Sequence, residues 1–297
     1  MLSVLIGVLL LSCSESTQDS EASPQNSTSE TAAWPETIRF GLIPAEGGTD
    51  IVDRFQSLFD HIAGELETDV KAFSASEYVG VITAMQNDQV DVAYFGPKSY
   101  VEAHRIAGAE AVVKQLSDDG SEGYHSIIVT RRGSGILSLE GAEGKRFGFV
   151  TPNSTSGYLV PSIGIIEATG KPAEEYFSEV RFTGSHSTAV RAALTGDVDV
   201  AATNTLDLGA MERNGLDTTG LVELWRSDMI PGAVIAVRDD LPESFKQAIR
   251  ESMISFNENE EALKNMARGG FVPAEDAEYD IIRLLEQRRE VLEREGG

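Results

Sequence analysis

Short apolar runs alternate with amphipathic ones along this chain, and the alternation occurs twice. Residues 38–43 read as a buried strand. Ile51, Phe55, Leu58, Phe59 and Ile62 then recur at three- and four-residue steps, which is one face of a helix. Strand 69–74, helix 78–87, strand 90–95 and helix 99–107 follow. After a β-rich segment at 125–131 the series restarts with strand 146–150, a Ser/Thr-rich turn with its helix, strand 180–183, helix 187–195 and strand 198–204. Residues 221–226 and 233–238 are again extended, split by Ile230-Pro231-Gly232, and the chain from Leu241 reads as helical with Pro273 as a break. Repeated βα units predict parallel sheets covered on both faces. The halves also echo each other: Asp88-Gln89-Val90-Asp91-Val92-Ala93 in one, Asp197-Val198-Asp199-Val200-Ala201 in the other. One echo at so long a period predicts two similar α/β lobes and not a solenoid.

Ligands of open α/β sheets bind at the carboxyl ends of the strands. Four such ends are candidates, at residues 44–46, 94–96, 151–156 and 203–204. The richest is the third, where a strand turns at Thr151-Pro152-Asn153 and Ser154, Thr155 and Ser156 stand at the start of an apolar helical run. A helix start offers free N–H groups and the positive end of the macrodipole, a seat for an oxyanion to which hydroxyls add donors. Ser and Thr are equally the preferred N-caps where nothing binds, so capping stands beside ligand binding as a reading of this turn.

The formal charge of −24 excludes nucleic acid and anionic membrane surfaces as partners. It also means that an anion must be held by short-range donors in a dry site, where the field of the whole chain counts least. Residues 1–12 are apolar and uncharged, too short to span a bilayer, and end in Leu10-Leu11-Ser12 before Cys13, the single cysteine. This end resembles a bacterial lipoprotein signal, which implies lipidation at Cys13, although no Lys or Arg forms a basic leader. Residues 14–36, rich in Ser, Thr, Glu, Gln and Asn with Trp34 near the end, read as a flexible tether to a membrane.

Taken in order, Asp91-Val92-Ala93-Tyr94-Phe95-Gly96-Pro97, Asn153-Ser154-Thr155-Ser156-Gly157, Gly184-Ser185-His186-Ser187, Gly196 to Ala201 and Ile230-Pro231-Gly232 resemble the phosphate/phosphite/phosphonate-binding proteins of ABC transporters. The resemblance implies a type II periplasmic-binding-protein fold, with two α/β lobes joined by a two-crossing hinge. The crossings fall near 127–131 and 224–230, giving lobe 1 as 37–128 with 229–297 and lobe 2 as 129–228. It implies that Ser154, Thr155 and Ser156 hold a phosphorus oxyanion and that His186 donates to one of its oxygens. Phe95 stands where some relatives carry a tyrosine, with Tyr94 beside it; strand alternation lets only one of the two face the ligand. Asn204 is a further donor, or a turn-forming residue. The implied partners are a small phosphorus oxyanion and a permease; the implied protein is a periplasmic, lipid-anchored monomer without cofactor or metal.

Two other readings compete. An enzyme acting on a phosphorus ester, a hydrolase or transferase, lacks support: His61, His104, His125 and His186 show no metal-ligand spacing, and there is no Gly-x-Ser-x-Gly elbow and no P-loop lysine. A lipoprotein sensor, or a binder of another organic solute such as an amino acid, would keep the fold. No arginine adjoins the Ser/Thr turn in sequence to clamp a carboxylate. Relatives that take an aminoethyl tail are similar in placing acidic residues where Leu206 and Ala233 stand here, with Asp207 or Asp228 as substitutes if the alignment slips. Phosphite or methylphosphonate is therefore expected to be preferred over aminoethylphosphonate, with phosphate intermediate or weak.

Overall fold

The computed structural model describes residues 33–45 and 50–296. Cys13 and most of the expected tether lie outside the described residues. Trp34 does not behave as tether: its indole N–H donates to Ser244 Oγ (3.1 Å) and its ring meets Phe245 edge-on at 5.6 Å.

The first half opens with β1 (Thr37–Leu42), α1 (Asp50–Leu66), β2 (Asp69–Ser74), α2 (Tyr78–Gln86), β3 (Val92–Phe95), α3 (Pro97–Ala107) and β4 (Ala109–Leu116). The second runs through β5 (Gly123–Arg131), β6 (Arg146–Phe149), a wide turn at Thr155–Leu159, α4 (Val160–Thr169), α5 (Ala173–Tyr176), β7 (Glu179–Phe182), α6 (His186–Thr195), β8 (Val200–Asn204), α7 (Thr205–Arg213) and β9 (Leu221–Pro231). The chain then returns through β10 (Val234–Arg238), α8 (Glu243–Ser255), α9 (Glu260–Met266), β11 (Gly270–Pro273) and α10 (Asp280–Gly296). The strands form two sheets, ordered β11-β4-β10-β3-β1-β2 and β7-β6-β8-β5-β9.

Neither sheet is wholly parallel. Within each, three strands pair in parallel, β2-β1-β3 and β7-β6-β8, as the βα periodicity predicts. The strands that carry the chain between sheets enter reversed: β10 runs antiparallel to β3 and β4, and β5 antiparallel to β8 and β9. These antiparallel additions also move the crossings. β5 pairs with β8 and β9 over its length and β9 with β5, so residues 127–131 and 224–230 lie inside the second sheet. The change of sheet comes instead between Leu116 and Gly123 and between Pro231 and Val234. Two strands escape the sequence pattern. In β4, charged Glu110 and Lys114 break the alternation, Lys114 being buried by ion pairs to Glu122 (2.6 Å) and Glu278. β11 is four residues long, ends in Pro273 and pairs only with β4, the edge position that proline tolerates.

The sequence echo has a structural cause. Asp91, just before β3, receives the backbone N–H (2.9 Å) and Nε (2.9 Å) of Arg39 on β1. Asp199, just before β8, receives the backbone N–H (2.9 Å) and Nε (3.1 Å) of Arg146 on β6. Each aspartate thus clips the entry of one parallel strand to that of its neighbour, with a bidentate guanidinium as counterion. The Asp91 side chain is 1% exposed and that of Asp199 30%. The guanidinium of Arg146 holds the Asp199 carboxyl below its ordinary range.

The two clips should differ in weight. Asp91→Ala removes a buried carboxylate that accepts the Arg39 N–H and guanidinium, and should cost about 3 kcal/mol of unfolding free energy. Asp199→Ala, open to water, should cost about 1–2 kcal/mol. Urea denaturation of both variants measures this, and an equal loss in the two would refute the ranking.

Candidate functional site

The carboxyl ends of both sheets face each other, and helices begin there. Tyr78 opens α2, Gly96 caps α3, Ser154 caps the turn before α4, His186 opens α6 and Asn204 caps α7. All of these residues line one cavity between the lobes. Helix starts from both lobes therefore direct their partial positive charge at one small volume.

The Ser/Thr run divides its labour. Ser154 is a cap: its Oγ accepts from the Gly157 N–H (3.0 Å). The turn it caps is wider than an α-turn, since the Leu159 N–H reaches the Ser154 carbonyl (3.1 Å), five residues back. Gly157 is required here because a Cβ would come within 2.3 Å of Val150. Thr155 Oγ1 accepts from the Lys98 N–H across the cleft (2.8 Å), which leaves its own proton free to donate. Ser156 Oγ accepts from Asn204 Nδ2 (3.1 Å), and the Ser156 carbonyl is held by the Ser126 hydroxyl (2.7 Å). A second direct bond across the cleft runs from the His186 N–H to the Ala45 carbonyl (2.8 Å).

His186 is 3% exposed, and burial lowers its pKa below 6.5 although Asp207 pulls the other way. It is a neutral imidazole at neutral pH. Its Nδ1 shares a hydrogen bond with Thr203 Oγ1 (3.2 Å) and its Nε2 lies 3.6 Å from Asp207 Oδ2. Asn204 serves as cap and cavity residue at once: its Oδ1 accepts from the Asp207 N–H (2.8 Å) while its Nδ2 donates to Asp207 Oδ2 (2.6 Å).

Of the β3 pair, Tyr94 faces the cavity and Phe95 does not. Phe95 is fully buried on the other face of the strand, so its expected place against a ligand is corrected in favour of its neighbour. The Tyr94 hydroxyl is spent on Gln115 Oε1 (3.0 Å), so what it offers a ligand is ring surface. That surface joins Ile43, Ala45, Leu206 and Ala233 as the apolar part of the lining.

Three polar side chains of the lining lay outside the sequence-derived site. Tyr78 and Tyr124 bring hydroxyls to Ser154 and to Ser156 and Thr155, and burial raises both pKa values, so both stay protonated donors. Asp207, weighed only as a substitute for Leu206, lines the cavity together with it; Asp228 lies elsewhere, in a groove between β9 and α10. No local signal marks either tyrosine. Two guanidinium groups act on Tyr94: Arg54 on α1, lowered to about 10 by burial and by Arg268, and Arg268, within hydrogen-bonding reach of the Tyr94 hydroxyl. Arg54 also attracts Asp207 electrostatically. Among the described residues, no group of three or more His, Cys, Asp or Glu side chains could hold a metal ion.

Two α/β lobes with a small donor-lined cavity between them define a periplasmic-type solute-binding protein. The chain belongs to the periplasmic phosphonate substrate-binding proteins of ABC transporters, whose family pattern matches residues 40–279. It is 33% identical to the phosphate-import protein PhnD of Mycolicibacterium smegmatis, over 94% of this chain and 91% of that protein. It is 29% identical to the phosphonates-binding periplasmic protein of Escherichia coli, over 84% of this chain and 76% of the relative. A phosphonate-transporter binding protein from Pseudomonas aeruginosa superposes with a TM-score of 0.83 at 28% identity, covering 88% of this chain and 89% of that one. PhnD1 of Prochlorococcus marinus, solved with methylphosphonate, shares the fold at a TM-score of 0.75 and 22% identity, covering 86% and 98%.

Thr155→Ala removes a donor and a bond across the cleft, and should weaken oxyanion binding ten- to a hundredfold, about 1.5–3 kcal/mol. Thr155→Ser should restore most of it. Calorimetry decides; unchanged affinity in a folded alanine variant would displace the seat from this turn.

Proposed function

We propose that the protein captures a small phosphorus oxyanion, methylphosphonate or phosphite in preference to phosphate, and delivers it to an ABC permease. The observation that carries this is the mixed lining of the cavity, where hydroxyls and helix starts are joined by the Tyr94 ring, Ile43, Ala45, Leu206 and Ala233. Three oxygens of a tetrahedral anion suit the polar groups, and a hydrogen or methyl on phosphorus suits the apolar ones. A fourth oxygen set against the apolar groups would lose water without gaining a partner, a cost of about 1–3 kcal/mol. Leu206 and Ala233 line the cavity, so an aminoethyl tail passing them would set its ammonium against apolar side chains. The relatives named for phosphonate and phosphate and the methylphosphonate complex of PhnD1 support this ligand class.

Binding without turnover is the reading the geometry favours. His186 is engaged with Thr203 and Asn204, and among the described residues no hydrogen bond links it to Ser154, Thr155 or Ser156. The serines act as cap and acceptor, the threonine as a bridge between lobes. The bonds from Lys98 to Thr155 and from His186 to Ala45 suit a cleft that closes over its solute.

Calorimetric titration with phosphite, methylphosphonate, phosphate and aminoethylphosphonate at neutral pH tests the ligand. The first two should bind at least tenfold more tightly than phosphate, and aminoethylphosphonate weakest. Aminoethylphosphonate binding as tightly as phosphite would overturn this account of the pocket.

The protein acts as a monomer held to a bacterial membrane through a lipid on Cys13, which the Leu-Leu-Ser-Cys end supports. Cys13→Ser should move it from the membrane to the soluble fraction of a bacterial host. Retention in the membrane would refute the anchor.

A further inference from the structure

Helix α10 passes beside the cleft within reach of both of its lips. The lips touch at one direct bond, from the Lys98 N–H to Thr155 Oγ1 (2.8 Å). Glu286 pairs with the Lys98 ammonium on the lobe 1 lip (3.2 Å). Three residues on, the Arg289 guanidinium carbon lies 4.5 Å from the centre of the Tyr158 ring, and Tyr158 stands three residues beyond Thr155 on the lobe 2 lip. Arg288 adds an ion pair to Glu167 on α4. One turn of α10 therefore spans the place where the lobes meet.

The helix is seated on lobe 1. Tyr279, directly before it, is fully buried, donates its hydroxyl to the Gly232 carbonyl (3.2 Å) and packs on the Tyr100 ring at 4.8 Å. Asp276 receives the Tyr100 hydroxyl (2.8 Å) and the Arg283 guanidinium (2.6 Å), which pins the first turn of α10 to α3. The partners on lobe 2 are seated just as firmly there. Tyr158 meets Phe149 edge-on at 5.0 Å and Phe182 at 5.2 Å. On α4, Gly164 lies so close to β9 that a Cβ would come within 2.3 Å of the Trp225 ring. Between these two bodies runs a groove, lined by Val160, Ile163 and Trp225 on one side and by Ile281 and Leu285 on the other.

Parting the lobes breaks the Lys98–Thr155 bond, and a helix seated on one lobe cannot then keep both lips. Glu286 and Lys98 move together, while Arg289 and Arg288 leave Tyr158 and Glu167. A guanidinium over an aromatic face is attracted by the ring quadrupole, more strongly as water is excluded. The Arg289 side chain is 23% exposed, with its Nη2 held by Glu293 (2.6 Å). Contacts made in only one of two states favour that state, however far they lie from the ligand. None of these four residues is among those that line the cavity.

We infer that α10 is a strap across the cleft, and that Arg289 on the Tyr158 ring, with Arg288 on Glu167, strengthens solute capture by favouring the closed state. This rests on the solute capture proposed above and adds positioning residues that never touch the solute.

The experiment is calorimetry of the full chain with methylphosphonate, phosphite and phosphate, with association and dissociation followed by stopped-flow tryptophan fluorescence. The variants are Arg289→Ala, Arg289→Lys, Tyr158→Phe, Glu286→Gln and the pair Arg288→Ala with Arg289→Ala, each checked for its thermal midpoint. Arg289→Ala should weaken binding about two- to fivefold. The pair should weaken it about tenfold, through faster dissociation with association unchanged. Arg289→Lys keeps a cation over the ring and should recover part of the loss. Tyr158→Phe keeps the ring and should bind as the native protein does. Glu286→Gln should bind no more weakly than native, because its partner travels with it. Native affinity and dissociation rate in the double variant would refute the strap while leaving the solute site standing. Weakening by Glu286→Gln but not by the arginine variants would refute it as well, by seating α10 on lobe 2. Binding of none of the three anions by the native protein would remove the proposed function and this inference together.

Discussion

The architecture depends on where its helices begin. In each lobe the parallel strands end at the cleft, so the helices that follow them start there, and helix starts from both lobes meet at one cavity. A chain with a formal charge of −24 repels an anion at long range. Peptide N–H groups and hydroxyls bind one without a full positive charge, and their strength rises as water is excluded. Arg54 and Arg268 both act on Tyr94 and bring positive charge near the cavity.

Keeping two sets of helix starts in register requires each lobe to be rigid on its own. Arg39 with Asp91 and Arg146 with Asp199 supply this by tying neighbouring parallel strands at their entries, away from the cleft. The lobes are then joined lightly, by two short crossings, by two direct hydrogen bonds beside the cavity, and by α10. That helix contacts both halves: Glu286 pairs with Lys98 (3.2 Å) on one side, while on the other Arg288 pairs with Glu167 and Arg289 lies 4.5 Å above the Tyr158 ring. These polar contacts reach water, so each adds little to the joint.

The chemistry of the cavity follows from which side chains the strands turn inward. Tyr94 spends its hydroxyl on Gln115, so an aromatic residue that could have been a donor becomes apolar wall. Asp207 sits one residue beyond Leu206 at the start of α7, and both reach the cavity because the first turn of a helix that ends on a cap presents successive residues to the same opening.

Much of this was legible in the sequence because it is local. Periodicity at two and at three to four residues fixes which segments are strands and helices, since each follows from the geometry of one element. The helix start at Ser154, Thr155 and Ser156 was visible because helix starts have their own residue chemistry, whereas His186 was singled out by the family resemblance. The tertiary structure alone decided the rest. Strand direction at β5 and β10, the crossings before Gly123 and after Pro231, and the short edge strand β11 depend on pairing between segments far apart in the chain. Tyr94 prevails over Phe95, and Tyr78, Tyr124 and Asp207 enter the cavity, through the register of sheets and the meeting of lobes. A residue's type and neighbours set what it can donate or accept; which volume it faces is set by partners that its own stretch of sequence does not contain.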